Sequence, residues 1–149
     1  MTVDLTIRAA QITDAGALAG LMCELGYDTT EAEMQRRLER ILPDERYRTF
    51  VAVRYLRVRG MIGTLASYSF EHNDLGGRIL ALVVSGDSRR SGIARQLMAA
   101  AEEDFADRKI TRIAVNARFE RKDAHQFYEL LGYRRNGFRF VKVVSKIEG

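Results

Sequence analysis

An apolar run that leads through a turn rich in glycine, serine and arginine into an amphipathic segment constrains this chain most. Residues 79–84 are continuously apolar, and an apolar stripe with helical spacing begins at Ile93. The pattern predicts a central strand covered on both faces, then a loop and a helix. The backbone N–H groups of such a turn and the positive end of the helix dipole converge on one spot, which suits a phosphate group.

The turn also carries the residue types that an anion site needs. Gly92 lets a ligand approach the backbone closely, while Arg89, Arg90 and Arg95 add positive charge. The spacing is neither the Gly-Lys-Ser/Thr of a P-loop nor the G-x-G-x-x-G of a dinucleotide fold. Taken alone, the segment predicts either a different kind of phosphate loop or a surface turn that happens to carry arginines.

Two segments of the chain resemble one enzyme family. Arg89-x-x-Gly92-x-Ala94 resembles the Arg/Gln-x-x-Gly-x-Gly/Ala motif of the GNAT N-acetyltransferases, whose loop grips the pyrophosphate of acetyl-coenzyme A (acetyl-CoA). After an intervening strand, the segment from Ala124 to Tyr133 resembles the A-x-x-F-Y-E-x-L-G-F/Y segment of that family. The resemblance covers nearly the whole chain, and it implies acetyl-CoA-dependent transfer to the amine of a small molecule, a lysine or an N-terminus.

The bulk composition predicts a single enzyme domain over residues 1–149. With 46% apolar and 30% charged residues, the chain can bury a full core. No run approaches the ~18 apolar residues of a membrane span, and the N-terminus lacks the pattern of a signal peptide. The lone Cys23 is interpreted as a small core residue in a reducing compartment. We therefore expect a cytoplasmic protein without a membrane partner.

Charge and motif content argue against a nucleic-acid-binding domain. The chain has 24 Lys and Arg against 20 Asp and Glu, which gives a formal net charge of only +4. No helix-turn-helix, aromatic RNA-binding stripe or zinc-ligand set appears, and two histidines suggest no metal site. The expected partners are an anionic cofactor and a small-molecule or peptide amine, and a homodimer is left open.

The predicted order of elements is β-α-α-β-β-β-α-β-α-β-β, an α/β fold with a mixed, mostly antiparallel sheet and helices on both faces, as in the GNAT fold. In the first half, a strand spans about residues 4–10, and Asp14 is expected to cap a helix that ends at Gly26. Thr30 and Glu33 read as the capping box of a second helix. Gly60 is expected to mark the turn into a long alternating strand, one face of which carries Ile62, Thr64, Ala66, Tyr68 and Phe70.

The second half begins with a predicted turn at residues 74–77 before the apolar strand. The next helix should bury Ile93, Leu97, Met98, Ala101 and Phe105. A strand over 110–117 and a helix near 122–131 follow, the latter with Ala124, Phe127, Tyr128 and Leu131 along one stripe. Asn136-Gly137 predicts a hairpin between the last two strands.

The resemblance assigns roles to individual residues. It places the pantetheine arm of the coenzyme along the strand that ends at Val84, and it makes Tyr128 the general acid that protonates the leaving thiolate. A phenol with a reference pKa of about 10 suits that task. The implied coenzyme-binding residues are Leu82, Val83, Val84, Arg89, Arg90, Ser91, Gly92, Ile93, Ala94, Arg95 and Arg121.

The chain departs from the family pattern at four positions. Gly86 replaces a common proline, Arg90 a usual glycine and Arg121 a frequent asparagine. Leu80 stands near the position where many relatives carry a carboxylate that serves as a general base or positions one. The missing acid leaves open a second interpretation, a catalytically weak acyl-CoA-binding regulatory module.

Candidate acceptor residues lie at the end of the first helix and at the end of the long strand. Glu24 and Tyr27 lie where the family varies with its acceptor, and Glu71 and His72 cluster with Asp74 where relatives line the acceptor cleft. An ordinary polar hairpin end explains the second group equally well.

Overall fold

The computed structural model describes residues 4–89, 91–116, 122–135 and 142–144. The chain forms two compact units, Met1–Val115 and Asn116–Gly149. In the first unit the strands are β1 (Leu5–Ala9), β2 (Tyr47–Arg54), β3 (Arg57–Ser67), β4 (Gly76–Val84) and β5 (Ile113–Val115), and the helices are α1 (Ala15–Leu25), α2 (Glu31–Ile41) and α3 (Ile93–Asp107). In the second unit, α4 spans Lys122–Leu130.

The five strands form one mixed sheet in the order β1-β2-β3-β4-β5. The first four are antiparallel to their neighbours, and β5 runs parallel to β4. The predicted order of elements is confirmed from β1 to α4. Residues 133–135 form no strand, and the predicted Asn136-Gly137 hairpin with residues 138–141 lies outside the described residues.

Helices cover both faces of the sheet, as predicted. Leu18 of α1 and Leu38 of α2 share one buried cluster with Met61 and Val83 of the sheet. Successive strand residues point to opposite faces, and a Cβ atom at the neighbouring Gly60 would contact Leu97 and Ile93 of α3. The five predicted inner residues of α3 are all buried.

The two N-terminal helices begin differently from each other. Thr30 and Glu33 form the predicted capping box of α2, with Oγ1 of Thr30 accepting from the Glu33 N–H at 3.1 Å. Asp14 makes no side-chain cap of α1, so that prediction is wrong. Its carboxylate instead accepts hydrogen bonds from both terminal nitrogens of Arg8, at 2.9 and 3.0 Å, and from the Gln11 N–H at 2.7 Å. As predicted, α1 ends at Gly26, which has a φ of 107°.

Two predicted glycine turns are wrong. The turn between β2 and β3 is made by Tyr55 and Leu56, both with positive φ. Gly60 lies inside β3, where a Cβ atom would come within 3.0 Å of the Val83 carbonyl oxygen. Gly76 and Gly77 are likewise the first residues of β4 rather than part of the preceding turn. Close packing, not chain reversal, explains the glycines at positions 60 and 77.

Three further predictions need correction. Strand β3 ends at Ser67, so Tyr68 and Phe70 lie beyond it and are exposed. Strand β5 has three residues, 113–115, rather than eight. Cys23 is exposed and not part of the core, because it lies on the outer side of α1, where its thiol contacts the backbone of Thr29.

Candidate coenzyme and acceptor site

Strand β4 parts from β5 after its first residues. The ladder with β5 joins β4 only at Gly77, Arg78 and Ile79, whereas the ladder with β3 continues to Val84. Within the described ranges, residues 80–84 therefore have a ladder partner on one side only. Backbone N–H and C=O groups along such an edge need partners, and an extended ligand can supply them.

A β-bulge at Leu80 lies where the two strands part. Thr64 pairs with Ile79 and Gly63 with Ala81, so Leu80 is the extra residue of β4. Consistent with this, Gly77 faces Phe105 of α3, whereas Val83 belongs to the cluster beneath α1 and α2. The side chain of Leu80 is 48% exposed. The prediction that residues 79–84 are covered on both faces is therefore wrong at this position.

The β4–α3 loop, residues 85–92, carries the chain from the parted strand into α3. A 3₁₀ turn spans Gly86–Ser88, and Gly92 adopts the left-handed conformation with a φ of 84°. The Ser91 hydroxyl donates a hydrogen bond to the Ser88 carbonyl oxygen. Buried Ile93 anchors the first turn of α3 in the core.

The N-terminus of α3 has the features of an anion site. The first N–H groups of a helix have no acceptor within the helix, and no acidic residue stands in its first turn. Arg89 and Arg95 are exposed beside them, while Ser91 and Ala94 are half-buried. The structure thus brings these predicted coenzyme residues together, with Leu82, Val83 and Val84 on the preceding strand. Arg90 and Arg121 lie outside the described residues.

Asp87 organises the start of the β4–α3 loop, a role that no motif or spacing in the sequence indicates. Its carboxylate accepts hydrogen bonds from the Ser85 hydroxyl at 2.7 Å, from Arg59 at 3.1 Å and from the Ser88 hydroxyl at 3.3 Å. These donors, Ser85 foremost, lower the pKa of Asp87 and keep the carboxylate charged. Arg59 lies 28 residues away in β3, so its contact depends on the register of the sheet.

Glu24 also contacts this loop. Its Oε1 atom accepts a hydrogen bond from the Gly86 N–H at 2.7 Å, across 62 residues of sequence. Glu24, Arg57, Arg59, Gly86 and Asp87 are among the residues that line a cleft of about 560 Å³. Tyr27 follows α1 and is half-exposed. Glu24 is thus bound to the β4–α3 loop rather than directed freely into solvent.

The other predicted acceptor residues lie at the opposite end of β4. Glu71 and His72 are exposed in the connection that precedes Gly76, whereas Glu24 contacts the loop that follows Val84. Nine strand residues separate these two ends, about 30 Å at the rise of an extended strand. The structure therefore does not gather the two predicted acceptor groups into one site.

Asp74, in the same connection, is held by the chain just before β5. Its Oδ1 atom accepts a hydrogen bond from Arg112 at 2.6 Å. This contact is the main cause that lowers the pKa of Asp74. The exposed carboxylate therefore stays charged and engaged with Arg112, whereas no hydrogen bond or ion pair of this kind is seen for Glu71 and His72 among the described residues.

Tyr128 lies in α4, within the second unit. Its ring packs edge-on against Phe127, with centroids 5.3 Å apart, and lies 6.1 Å from the ring of Tyr133. The predicted stripe of Ala124, Phe127, Tyr128 and Leu131 is half-buried, while Gln126, Glu129 and Leu130 are exposed. The helical face that carries Tyr128 is therefore as predicted.

The described residues contain no group of three or more His, Cys, Asp or Glu side chains that could hold a metal ion. No helix among them is long and apolar enough to cross a membrane.

The one-sided edge of β4, a loop with a left-handed glycine and the N-terminus of α3 form a strand–loop–helix unit that suits an extended, anionic ligand, and the family comparison identifies the fold. Residues 13–144 match the model of the acetyltransferase (GNAT) domain. The chain belongs to the GNAT acetyltransferase family. It is an acetyltransferase, and its acetyl donor is acetyl-CoA.

Individual relatives agree in sequence and in fold. An aminoalkylphosphonate N-acetyltransferase from Salmonella typhimurium is 32% identical over 143 residues, which span 93% of this chain and 90% of that protein. A GNAT family acetyltransferase from Staphylococcus aureus superposes with a TM-score of 0.81 at 24% identity, covering 95% of this chain and 99% of its own. An aminoglycoside N-acetyltransferase in complex with CoA gives a TM-score of 0.84 at 17% identity, covering 99% and 98%.

Proposed function

We propose that this chain transfers the acetyl group of acetyl-CoA directly to the primary amine of a small molecule, and that the acceptor is an aminoalkylphosphonate. One observation supports the transferase chemistry. The edge of β4 that pairs only with β3 is followed along the chain by Gly92 and the N-terminus of α3. The acceptor class rests on the relative from Salmonella typhimurium, whose similarity runs through 93% of this chain.

The strand and the loop must accommodate two parts of the coenzyme. The pantetheine arm is extended and rich in amides, so it can hydrogen-bond to the open edge of Leu82, Val83 and Val84 as a further strand would. The pyrophosphate is anionic and compact, and it suits the N–H groups at Ser91–Ala94 and the positive end of α3. Arg89, Arg95 and, by the family motif, Arg90 and Arg121 add positive charge.

The reaction needs one electrophile, one nucleophile and one proton donor. The lone pair of the neutral amine forms a bond to the thioester carbonyl carbon, and negative charge moves to the carbonyl oxygen. When the C–S bond breaks, the electron pair leaves on sulfur, and the Tyr128 hydroxyl supplies the proton that makes free CoA thiol. The proton lost by the amine returns to solvent or to the tyrosinate, so charge and atoms balance.

The experiment is an acceptor screen that follows release of free CoA thiol. Aminoethylphosphonate is compared with propylamine, whose methyl group replaces the phosphonate, and with an aminoglycoside and a lysine peptide. We expect aminoethylphosphonate to give a kcat/KM at least about tenfold above that of propylamine, because a charged group and its partner add more than 1.4 kcal/mol of recognition. Mass spectrometry must show one acetyl group on the amine.

Each other outcome of the screen has a definite meaning. Transfer to the lysine peptide alone would overturn the small-molecule assignment. Equal use of propylamine and aminoethylphosphonate would overturn the phosphonate assignment. Tight binding of acetyl-CoA without transfer to any amine would instead support an acyl-CoA-binding module.

A further inference from the structure

Glu24 is exposed, but the helix that carries it is held in place by the core of the first unit. It lies in the last turn of α1, and this helix is fixed to the sheet by buried Leu18 and Leu21. A carboxylate on such a helix has little freedom apart from its own rotamers. Its Oε1 atom lies 2.7 Å from the Gly86 nitrogen and accepts that N–H.

Further hydrogen bonds join residues of the same loop, from Ser85 to Ser91. The Ser88 N–H donates to the Ser85 carbonyl at 2.9 Å and closes the 3₁₀ turn. The hydroxyls of Ser85 and Ser88 both donate to Asp87, and Ser91 donates to the Ser88 carbonyl. Together these contacts hold the backbone from Ser85 to Ser88 and link it to Ser91.

The sheet supports the loop from the other side. The Ser85 N–H donates to the Arg59 carbonyl oxygen at 2.8 Å, and the Arg59 guanidinium, only 18% exposed, donates to Asp87. Gly86 is thus held by α1 on one side while its neighbours are held by β3 on the other. A glycine has more backbone entropy to lose than any other residue, so an anchor at Gly86 helps to order the loop.

We propose that Glu24 is a positioning residue of the coenzyme site: its hydrogen bond to Gly86 pre-organises the β4–α3 loop for the pyrophosphate of acetyl-CoA. Glu24 does not contact the acceptor amine. This inference rests on the proposed role of the loop in coenzyme binding. It replaces the expectation, drawn from sequence position alone, that Glu24 recognises the acceptor.

The proposed role predicts a specific separation of kinetic constants. Pre-organisation lowers the free-energy cost of ordering the loop when coenzyme binds, so its loss weakens coenzyme binding and leaves acceptor binding unchanged. Glu24→Ala should raise the dissociation constant and the KM for acetyl-CoA about five- to tenfold, the net worth of one ordinary hydrogen bond, because the lost contact is exposed and acts on the coenzyme only through the loop. The KM for the amine and kcat at saturating acetyl-CoA should stay within about twofold of the parent.

Glu24→Gln tests whether a neutral acceptor of the Gly86 N–H is enough to maintain acetyl-CoA binding. Glu24→Gln keeps an oxygen that can accept the Gly86 N–H, and it removes one negative charge near the anionic coenzyme. Its acetyl-CoA dissociation constant should stay within about threefold of the parent. Glu39→Ala removes an exposed glutamate from α2 and serves as the matched control, with unchanged constants. Thermal midpoints of all variants show that each is folded.

The experiment combines calorimetry with acetyl-CoA and steady-state kinetics on the four proteins, with Gly92→Asp as a separate reference. An increased amine KM and an unchanged acetyl-CoA dissociation constant in Glu24→Ala would make Glu24 an acceptor residue and overturn the inference. Equal weakening in the Gln and Ala variants would also overturn it. If Gly92→Asp binds acetyl-CoA like the parent, the assignment of the loop itself fails, which is distinct from a failure at Glu24.

Discussion

Gly77 and Phe105 are packed so closely that a Cβ atom at position 77 would lie 2.7 Å from Cε1 of the phenylalanine ring. Gly77 begins β4, and Phe105 is fully buried in the last turns of α3. This contact sets how closely α3 approaches the strand along which the coenzyme is proposed to bind. It therefore links the stability of the fold to the geometry of the site.

Gly77→Ala should destabilise the protein by about 2 kcal/mol, because the buried ring must move to admit the methyl group. Gly63→Ala in β3 is the matched control. Its new Cβ would meet only the Met61 side chain at 3.8 Å, an ordinary contact. Urea unfolding of both variants measures the difference, and equal midpoints would show that the ring is not a fixed obstacle.

Gly92→Asp should weaken acetyl-CoA binding by more than about tenfold, at least ~1.4 kcal/mol. The change puts a negative charge beside the N-terminus of α3, where the pyrophosphate is proposed to bind. Gly92→Asn is the control, because asparagine has nearly the same shape and both residues tolerate the left-handed backbone that Gly92 adopts. Calorimetry should show a clearly smaller loss for the Asn variant. Parental affinity in the Asp variant would exclude this loop as the pyrophosphate site.

The sequence predicts those elements whose chemistry is local. The capping box of α2 needs only Thr30 and Glu33, three residues apart, and the buried stripe of α3 follows from helical spacing. A glycine is ambiguous in sequence, because the same residue serves a turn and a close contact between elements. The sequence therefore predicts a turn at Gly60, whereas Tyr55 and Leu56 make that turn and Gly60 packs closely inside β3.

In the candidate site, too, local features can be predicted from the sequence and contacts between distant residues cannot. The β4–α3 loop is contiguous in sequence, and its strand, its glycine and the start of its helix can be located from residues 79–98, although the left-handed conformation of Gly92 is seen only in the structure. The contacts that hold the loop come from Glu24 and Arg59, which are 62 and 28 residues from their partners. No spacing rule reports such pairs, since they depend on how α1 and β3 pack against β4. The bulge at Leu80 cannot be predicted from the sequence either. In a run of apolar residues, a shift of register by one residue does not change the hydrophobic pattern.

Asp14 should make the stability of the protein depend on pH in the acid range. The hydrogen bonds from Arg8 are the main cause that lowers the pKa of Asp14 below its usual 3.8. A carboxyl whose pKa is lower in the folded state stabilises the fold above its unfolded pKa, and this contribution is lost as pH falls through the folded value.

Asp14→Asn should therefore lower the free energy of unfolding by about 2 kcal/mol near pH 7, the usual worth of hydrogen bonds to a charged group. The gap between variant and parent should narrow as the pH falls below about 4. Asp28→Asn, at an exposed position after α1, should follow the parent at every pH. A constant gap between Asp14→Asn and the parent down to pH 3 would contradict the ion-pair explanation.

Tyr128→Phe should reduce kcat about 10²-fold or more if proton delivery to the thiolate limits the rate. The ring and its edge-on contact with Phe127 remain, so the thermal midpoint should change little. Tyr133→Phe removes a hydroxyl from the neighbouring ring and should leave turnover within about threefold. Parental turnover in Tyr128→Phe would show that the hydroxyl is structural or that product release limits the rate.

The last prediction is that removal of the amine proton does not depend on a carboxylate in the central strand. Residues 79–84 contain no acid, and the bulge of β4 presents the exposed side chain of Leu80. Of the nearest candidates, Asp74 is engaged by Arg112, and Glu71 and His72 are exposed in the connection before β4. A base in that connection would act through water, so its contribution should be modest.

We therefore expect the rate to rise with pH until the acceptor amine is itself neutral, and Glu71→Gln to cost less activity than Tyr128→Phe. The measurement is a pH–rate profile for the parent and for Glu71→Gln, His72→Ala and Asp74→Asn with one good acceptor. The parent and all three variants should share one rising limb, whose midpoint follows the pKa of the acceptor when a less basic amine is used. If one variant loses a limb near pH 6–7 and about a hundredfold in rate, that side chain is a dedicated base, because a group of matched pKa contributes on that scale. A shared rising limb whose midpoint follows the pKa of the acceptor would instead mean that the free amine is the reacting species. The enzyme would then need no carboxylate at the position of Leu80.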